Sequence, residues 1–371
     1  MGAAGIIFSN VHETALSELT RGRTMASVPF AGRYRLIDFA LSNLVNSGVS
    51  TVGIITKRNY QSLMDHVGSG KDWDLSRKNG GLIIFPPFGQ EANDSLYVSR
   101  LAGLKGIMSF LAKAKADQFI LMDSNFACNI DLSKVVAFHE EKKADVTIVY
   151  KEGCVEKNMQ HNMSLTVDDT GRITDASVMS VASKCLKYST NIWVINKSLL
   201  YELVSGAIAV NQTSFERDLI LANVHSLGMY GYLFDGSYFH FASMKEYFEN
   251  NMKVLDPKVR EELFKQKGRL IYTKVRDSAP TKYGQNAKVI NSFIADGCII
   301  EGRVENSILF RGVKVDKNTV VRNSILMQDT ITGENVTLDH VITDKNVVIR
   351  DRNHLSGAKS HPFFISKGIM I

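Results

Sequence analysis

A mostly parallel α/β sheet domain followed by a parallel β-helix is the fold class this sequence predicts, and three observations carry the prediction. Through about Leu255, short apolar runs alternate with amphipathic helical stretches. The texture then changes to isolated aliphatics separated by Gly, Asn and Asp. That later region also repeats itself at one spacing. Alternating strands and helices argue for a sheet covered on both faces, and a fixed short repeat argues for stacked coils.

The elements follow in order. "GIIFSNVHETALSEL", Gly5 to Leu19, reads as a buried strand, a polar loop and the opening of a helix. Further strands are expected at Val52–Ile55 (with Thr56), Phe119–Met122, Val146–Tyr150 and Ile192–Ile195. Helical patterns lie between them, at Leu96–Ala116, apolar at Leu96, Leu101, Leu104, Ile107, Met108 and Leu111, and at Leu132–Lys142. Ligands of such sheets sit beyond the carboxyl ends of the strands, which is where the first loop falls. A phosphate-binding loop there would use glycines and exposed N–H groups. Here the loop is Ser9, Asn10, Val11, His12, Glu13 and Thr14, with no glycine and one carboxylate.

A polar stretch with Pro257 and Pro280 leads into the repeats, giving expected boundaries of 1–255 for the α/β domain, 256–285 for a linker and 286–371 for the β-helix. Val304 opens "VENSIL", Val321 opens "VRNSIL" and Leu338 opens "LDHVIT". Their spacing is about three hexads with one residue trimmed, the length of one coil. Gly, Asn and Asp between the aliphatics suit tight corners. One use of such a helix is acyl transfer, which needs a base at a coil interface. His340 is the single histidine between Asn291 and Ile349, and a lone one is better read as a corner residue. The expected role is a stiff prism with flat faces for other subunits.

Composition bounds the partners. Hydrophobic residues make up 44% and charged residues 22% of the 371, ordinary for a soluble globular chain. The net charge of +6 favours anionic ligands, while no Lys/Arg run is dense enough for a nucleic-acid arm. Phosphorylated metabolites are the expected ligands. Cys128, Cys154, Cys185 and Cys298 are scattered without a C-x-x-C pair, so reduced thiols are expected. The amino terminus lacks the basic segment of a signal peptide, and no apolar run is long enough to span a bilayer. A cytoplasmic protein without membrane or nucleic-acid partners is the expectation.

"LSELTRGRTMASVPFAGRYRLIDFALSNLVNSGVSTVGIIT", and above all Val28 to Gly48 within it, closely resembles the bacterial ADP-glucose pyrophosphorylases, or glucose-1-phosphate adenylyltransferases. The resemblance implies a nucleotidyltransferase-type, Rossmann-like domain joined to a left-handed hexapeptide-repeat β-helix. It also implies a reaction in which ATP and glucose 1-phosphate, assisted by Mg²⁺, give ADP-glucose and pyrophosphate. That chemistry needs a close-wrapping phosphate loop, hard oxygen ligands for the metal and cations on both phosphates.

Position by position, the resemblance implies that these parts are gone. The family's Gly-Gly-x-Gly-Thr-Arg falls on Ser9 to Thr14, and its phosphate lysine on Met25. The first metal aspartate falls on Asn125, between Ser124 and Phe126, and the second on His240. The acid and lysine of the sugar-phosphate motif fall on Val178 and Met179, and the stretch beside the base is altered around Asn93–Tyr97. Two alternatives remain at this point. Asp123 could take over metal binding after a shift of register, since neighbours two apart share a strand face, or His12, His240 and a cysteine could form a transition-metal site.

Lost chemistry on a retained scaffold resembles the GlgD-type subunit of this family. That implies a regulatory chain, inactive alone and needing no cofactor, in a heterotetramer with a catalytic GlgC-type subunit that uses the Mg²⁺. It also implies a phosphorylated effector held by basic residues between the domains, where Arg23, Arg33 and Arg35 fall. Gly22 and Pro29 stand where the family has a lysine and a histidine. Arg35 has a second reading, pairing with Asp38 or with backbone to fix its loop. A weakly active nucleotidyltransferase and a stand-alone sugar-phosphate sensor are the competing functions.

Overall fold

The computed structural model describes residues 2–86, 99–153, 162–178 and 186–371. Four parallel strands make the heart of the first domain: β1 (Ala3–Phe8), β2 (Thr51–Ile55), β3 (Gly81–Phe85) and β4 (Gln118–Asp123). They lie in the order β4-β1-β2-β3, with Ile7 opposite both Ile54 and Met122. All six side chains of β4 are buried, as expected of a strand covered on both faces. Leu186–Asn196 runs antiparallel along β4 and, with Val146–Gly153, Met163–Val167, Ile173–Val178 and Met229–Leu233, brings the sheet to nine strands among the described residues. Because the chain moves outward from β1 to β2 and β3 and then returns to β4 on the other side of β1, the crevice past the ends of β1 and β4 is a topological switch point.

Helix α1 (Leu36–Asn46) starts where the Asp38 carboxylate accepts from the Arg35 backbone N–H at 3.0 Å. The stretch expected as one helix to Ala116 is broken: α2 (Arg100–Gly106) ends at Ile107, whose φ of −117° leaves the helical range, and Met108–Lys113 starts again. Residues 87–98, including Leu96 and the altered stretch Asn93–Tyr97, lie outside the described residues.

The β-helix is three parallel five-stranded sheets. Val304, Val321 and Leu338 stack in register, and Val289 and Leu355 continue the column at either end. Asn291, Asn306, Asn323 and His340 occupy successive copies of one corner, all with φ between 43° and 52°. Asparagine tolerates this left-handed conformation, and Asn291 adds a 2.8 Å hydrogen bond to Asn306 one coil on. His340 therefore sits at a corner.

The segment 256–285 contains a helix at Pro257–Phe264, capped by the Asp256 carboxylate, and its end already forms the first β-helix strand, Lys282–Tyr283. Between these the chain runs as an extended strap held by side chains. Asn129 donates to the Arg269 carbonyl and Asn46 to that of Leu270, both at 2.8 Å, while the Ser42 hydroxyl accepts from the Tyr272 N–H. The two domains share an apolar core: Phe30, Leu36 and Phe39 pack in one cluster with Ile308, Ile325 and Ile342. Among the described residues no helix is long and apolar enough to cross a membrane.

Candidate functional site

The first loop is tied down by its own side chains. Ser9 donates to the Ile55 carbonyl at 2.8 Å, the Asn10 amide oxygen accepts from the Lys57 N–H at 2.7 Å, and the Asn10 amide nitrogen reaches Glu13. Burial raises the pKa of Glu13 from its ordinary value, against that hydrogen bond and the charges of Lys57 and Arg58. His12 takes the place of a family glycine yet keeps a glycine-like backbone, with φ 70° and ψ 22°. The cavity between this loop and α2 is about 10 Å³, at most the room of one water.

A buried charge cluster stands at the end of β4. Arg100, the first residue of α2 and 3% exposed, reaches across the crevice to Asp123, which is fully buried. Its Nε donates to Asp123 Oδ1 at 2.9 Å, one Nη donates to Asp123 Oδ2, and the other donates to Glu216. His12 Nε2 lies 3.0 Å from Asp123 Oδ2 and 3.1 Å from Arg100 Nη2. The guanidinium also lies over the Trp193 ring, 5.0 Å from its centre. Burial alone would raise the Asp123 pKa, but the Arg100 charge and the hydrogen bonds from His12 and Arg100 bring it down to about 2. Burial would lower Arg100 in turn, and the charges of Asp123 and Glu216 hold it above its ordinary value.

Asn125 and His240, the positions of the two metal aspartates by resemblance, do come together. Tyr238–His240 pairs antiparallel with Phe126–Cys128, and the Asn125 amide donates to His240 Nε2 at 2.8 Å. Burial, helped by His12, lowers the His240 pKa to about 3, so the ring is neutral at neutral pH. These donors do not fit Mg²⁺. Both Asp123 oxygens are engaged, His240 offers nitrogen, and the buried Asn125 Oδ1, which has no hydrogen-bond partner among the described residues, supplies one neutral oxygen. Nor is there a transition-metal set: the His12 and His240 rings are 6.5 Å apart, and no group of three metal-ligating side chains converges among the described residues. Cys128 packs against Asn43, its thiol pushed up by burial.

Met25 is fully buried in the cluster with Leu16, Leu19 and Val28, so the lysine position has become core. Val178 ends the strand Ile173–Val178; Met179, Cys154 and Cys185 lie outside the described residues.

The three arginines expected at an effector site have three different surroundings. Arg23 is buried in an ion pair with Asp344 of the β-helix, its Nη2 donating to both carboxylate oxygens, at 2.7 and 2.8 Å. Arg35 is buried too; its guanidinium donates to Ser62 Oγ at 3.0 Å and to the Ser62 carbonyl. Burial, with Arg23 and Arg276 adding to it, lowers its pKa to about 10 although Asp38 opposes them. Arg33 is exposed and lies over the Tyr34 ring. A cleft between the domains collects Arg33, Arg35, His66, Arg276, Arg311 and Lys345.

Sequence reasoning missed Arg100, Glu216, Asp344 and Lys345. With the helix expected to begin at Leu96, nothing set Arg100 apart; only the observed start at Arg100 puts its charge in the first turn, where it opposes the helix dipole.

Comparison with known proteins gives two family matches, Nucleotidyl transferase over residues 4–175 and GlmU-like, C-terminal hexapeptide over 277–360. The chain is 37% identical to the Glycogen biosynthesis protein GlgD of Geobacillus stearothermophilus, covering 98% of this chain and 96% of that one. It is 33% identical to the protein of the same name from Bacillus subtilis (strain 168), covering 99% and 96%. A Glucose-1-phosphate adenylyltransferase of Clostridium botulinum is 32% identical, covering 86% and 83%.

Proposed function

Since the chain belongs to the family of GlgD glycogen biosynthesis proteins and glucose-1-phosphate adenylyltransferases and has a role in glycogen synthesis, we propose that it is a regulatory subunit that has given up the adenylyl transfer itself. One observation supports this reading: Arg100, Asp123, Glu216 and His12 satisfy one another's charges at the end of β4, where by resemblance the substrates' phosphates would meet. A guanidinium fork satisfies a buried carboxylate more fully than a transient ligand does, so the cluster is stable as it stands. Losing one transition-state contact costs about 2.7–4 kcal/mol. Here the loop, both metal carboxylates and the cation that the resemblance places at Met25 are all changed, and in this reading the chain needs no metal of its own.

In this reading the partner is a catalytic GlgC-type chain in a cytoplasmic heterotetramer, which supplies the Mg²⁺ site. The cleft between the domains receives a phosphorylated effector. Arg33 and Arg35 face that anion, while Arg23 braces the cleft through Asp344. The test is ADP-glucose formation by a purified catalytic chain as this chain is added in increasing ratio, with this chain alone and Mg²⁺ as control. Saturable activation with a silent control is expected. Turnover in the control, or no effect on the partner, overturns the reading.

A further inference from the structure

We infer that the cleft between the two domains takes up an anion together with a proton, and that Lys345 is the group that receives the proton. The inference rests on the effector reading of this cleft given above and adds the way it is regulated.

The geometry is one of unbalanced charge. Each carboxylate near the cleft already has a partner. Asp344 is held by Arg23, Asp38 lies 2.5 Å from His66 Nε2 and accepts the Arg35 N–H, and Asp296 accepts from Arg311 at 3.0 Å. Asp65, which acts on Arg35 from a distance, accepts from Gln61. The cations are not matched in number. Among the described residues the Arg35 guanidinium binds only Ser62, and the side chains of Arg276 and Lys345 meet no carboxylate at hydrogen-bond distance, although the Lys345 backbone N–H donates to Asp344 at 2.7 Å. Arg33 and Arg276 are exposed at the mouth, so an oxyanion has a path inward. The cavity is about 30 Å³, which suits an anionic head group with the rest of its molecule outside. Three parts of the chain meet there: the Gly32–Arg35 turn with His66, the strap through Arg276, and the β-helix through Arg311, Gln328 and Lys345.

Lys345 is the group whose charge is undecided. Burial first, then Arg35, Arg23 and Arg276, lower its pKa to about 7, with Asp344 opposing. Empty, the cleft therefore leaves Lys345 part neutral at neutral pH. A dianion placed among these groups favours the ammonium form. Binding then draws a proton from solution, a small fraction at pH 6 and nearly a whole one at pH 8. The affinity falls correspondingly, by up to about tenfold per pH unit above 7. His66 faces the same cleft, but burial, with Arg35 and Lys345 also acting, lowers its pKa below 6.5 despite Asp38. Its uptake belongs to a more acidic range.

The experiment is calorimetric titration of the full-length chain with sulfate, which does not titrate here, at pH 6, 7 and 8 in buffers of different ionisation heat. The expected result is sulfate binding that weakens about five- to tenfold from pH 7 to 8, with proton uptake rising towards one. Lys345→Arg is expected to bind without the slope or the uptake, and His66→Gln to keep both. Sulfate binding with no proton uptake, or a slope that survives in Lys345→Arg, overturns the inference and leaves the anion cleft standing. No sulfate binding at any pH overturns the inference and the effector cleft together. Activation of the partner chain is read in a separate assay and stands or falls by itself.

Discussion

Arg23 and Asp344, 321 positions apart in the chain, form a buried ion pair, one guanidinium nitrogen donating to both carboxylate oxygens, that fastens the α/β domain to the β-helix. Breaking a buried pair on one side leaves the other charge unpaired at a cost of about 3–5 kcal/mol. Asp344→Asn and Arg23→Gln are each expected to lower stability by about that amount, measured by urea unfolding. Pairing Arg23→Met with Asp344→Leu should restore much of it, because no lone charge remains. A single variant as stable as the parent contradicts the role of the pair.

A second prediction concerns the crevice. Arg100→Met strands Asp123 and Glu216 without their counter-charge and is expected to cost about 3–5 kcal/mol. Arg100→Lys should recover only part of this, since an ammonium cannot reproduce the fork on Asp123 or stack as well on Trp193. Urea midpoints for the two variants measure the difference.

The cluster also sets an acid limit. The unfolded chain protonates a histidine near pH 6.5, while folded His240 stays neutral down to about pH 3. In that window the unfolded state binds more protons, so stability falls as pH drops from 6.5 towards 3. Asp123 acts lower: its contribution is full above pH 3.8 and is lost as pH falls towards about 2. His240→Gln should flatten the decline between pH 6.5 and 4 in unfolding curves without removing it, since His66 and His139 are lowered as well.

Restoring single family residues should not restore turnover. Met25→Lys places an ammonium in a fully buried apolar cluster, with an expected loss of several kcal/mol. Asn125→Asp puts a carboxylate beside a neutral imidazole and near Asp123. Neither is expected to give measurable ADP-glucose formation by the chain alone with Mg²⁺; turnover by either shows that the crevice opens.

The β-helix was legible because its information is local. The matching offsets of Val304, Val321 and Leu338 announce a stacked column, and the structure pairs those residues in register. The central strands were legible for the same reason. The helix break at Ile107 was not, since the apolar pattern runs straight through it. Neither were the ion pairs: Arg100 meets partners 23 and 116 positions away, and pattern within a window carries no record of such distances. A resemblance could mark Asn125 and His240 as altered. It could not say that they would face each other, or that an arginine outside the known motifs would occupy the space between the strands.

If the chain is the regulatory subunit proposed above, Arg100 also makes its evolutionary history directional. Once the guanidinium balances Asp123 and Glu216, a lineage that regains one ancestral residue gains no turnover, and one that first loses Arg100 passes through a poorly folded intermediate. Return requires several substitutions at once. The cluster acts as a ratchet: selection for a folded chain is enough to keep the site closed, with no selection against catalysis.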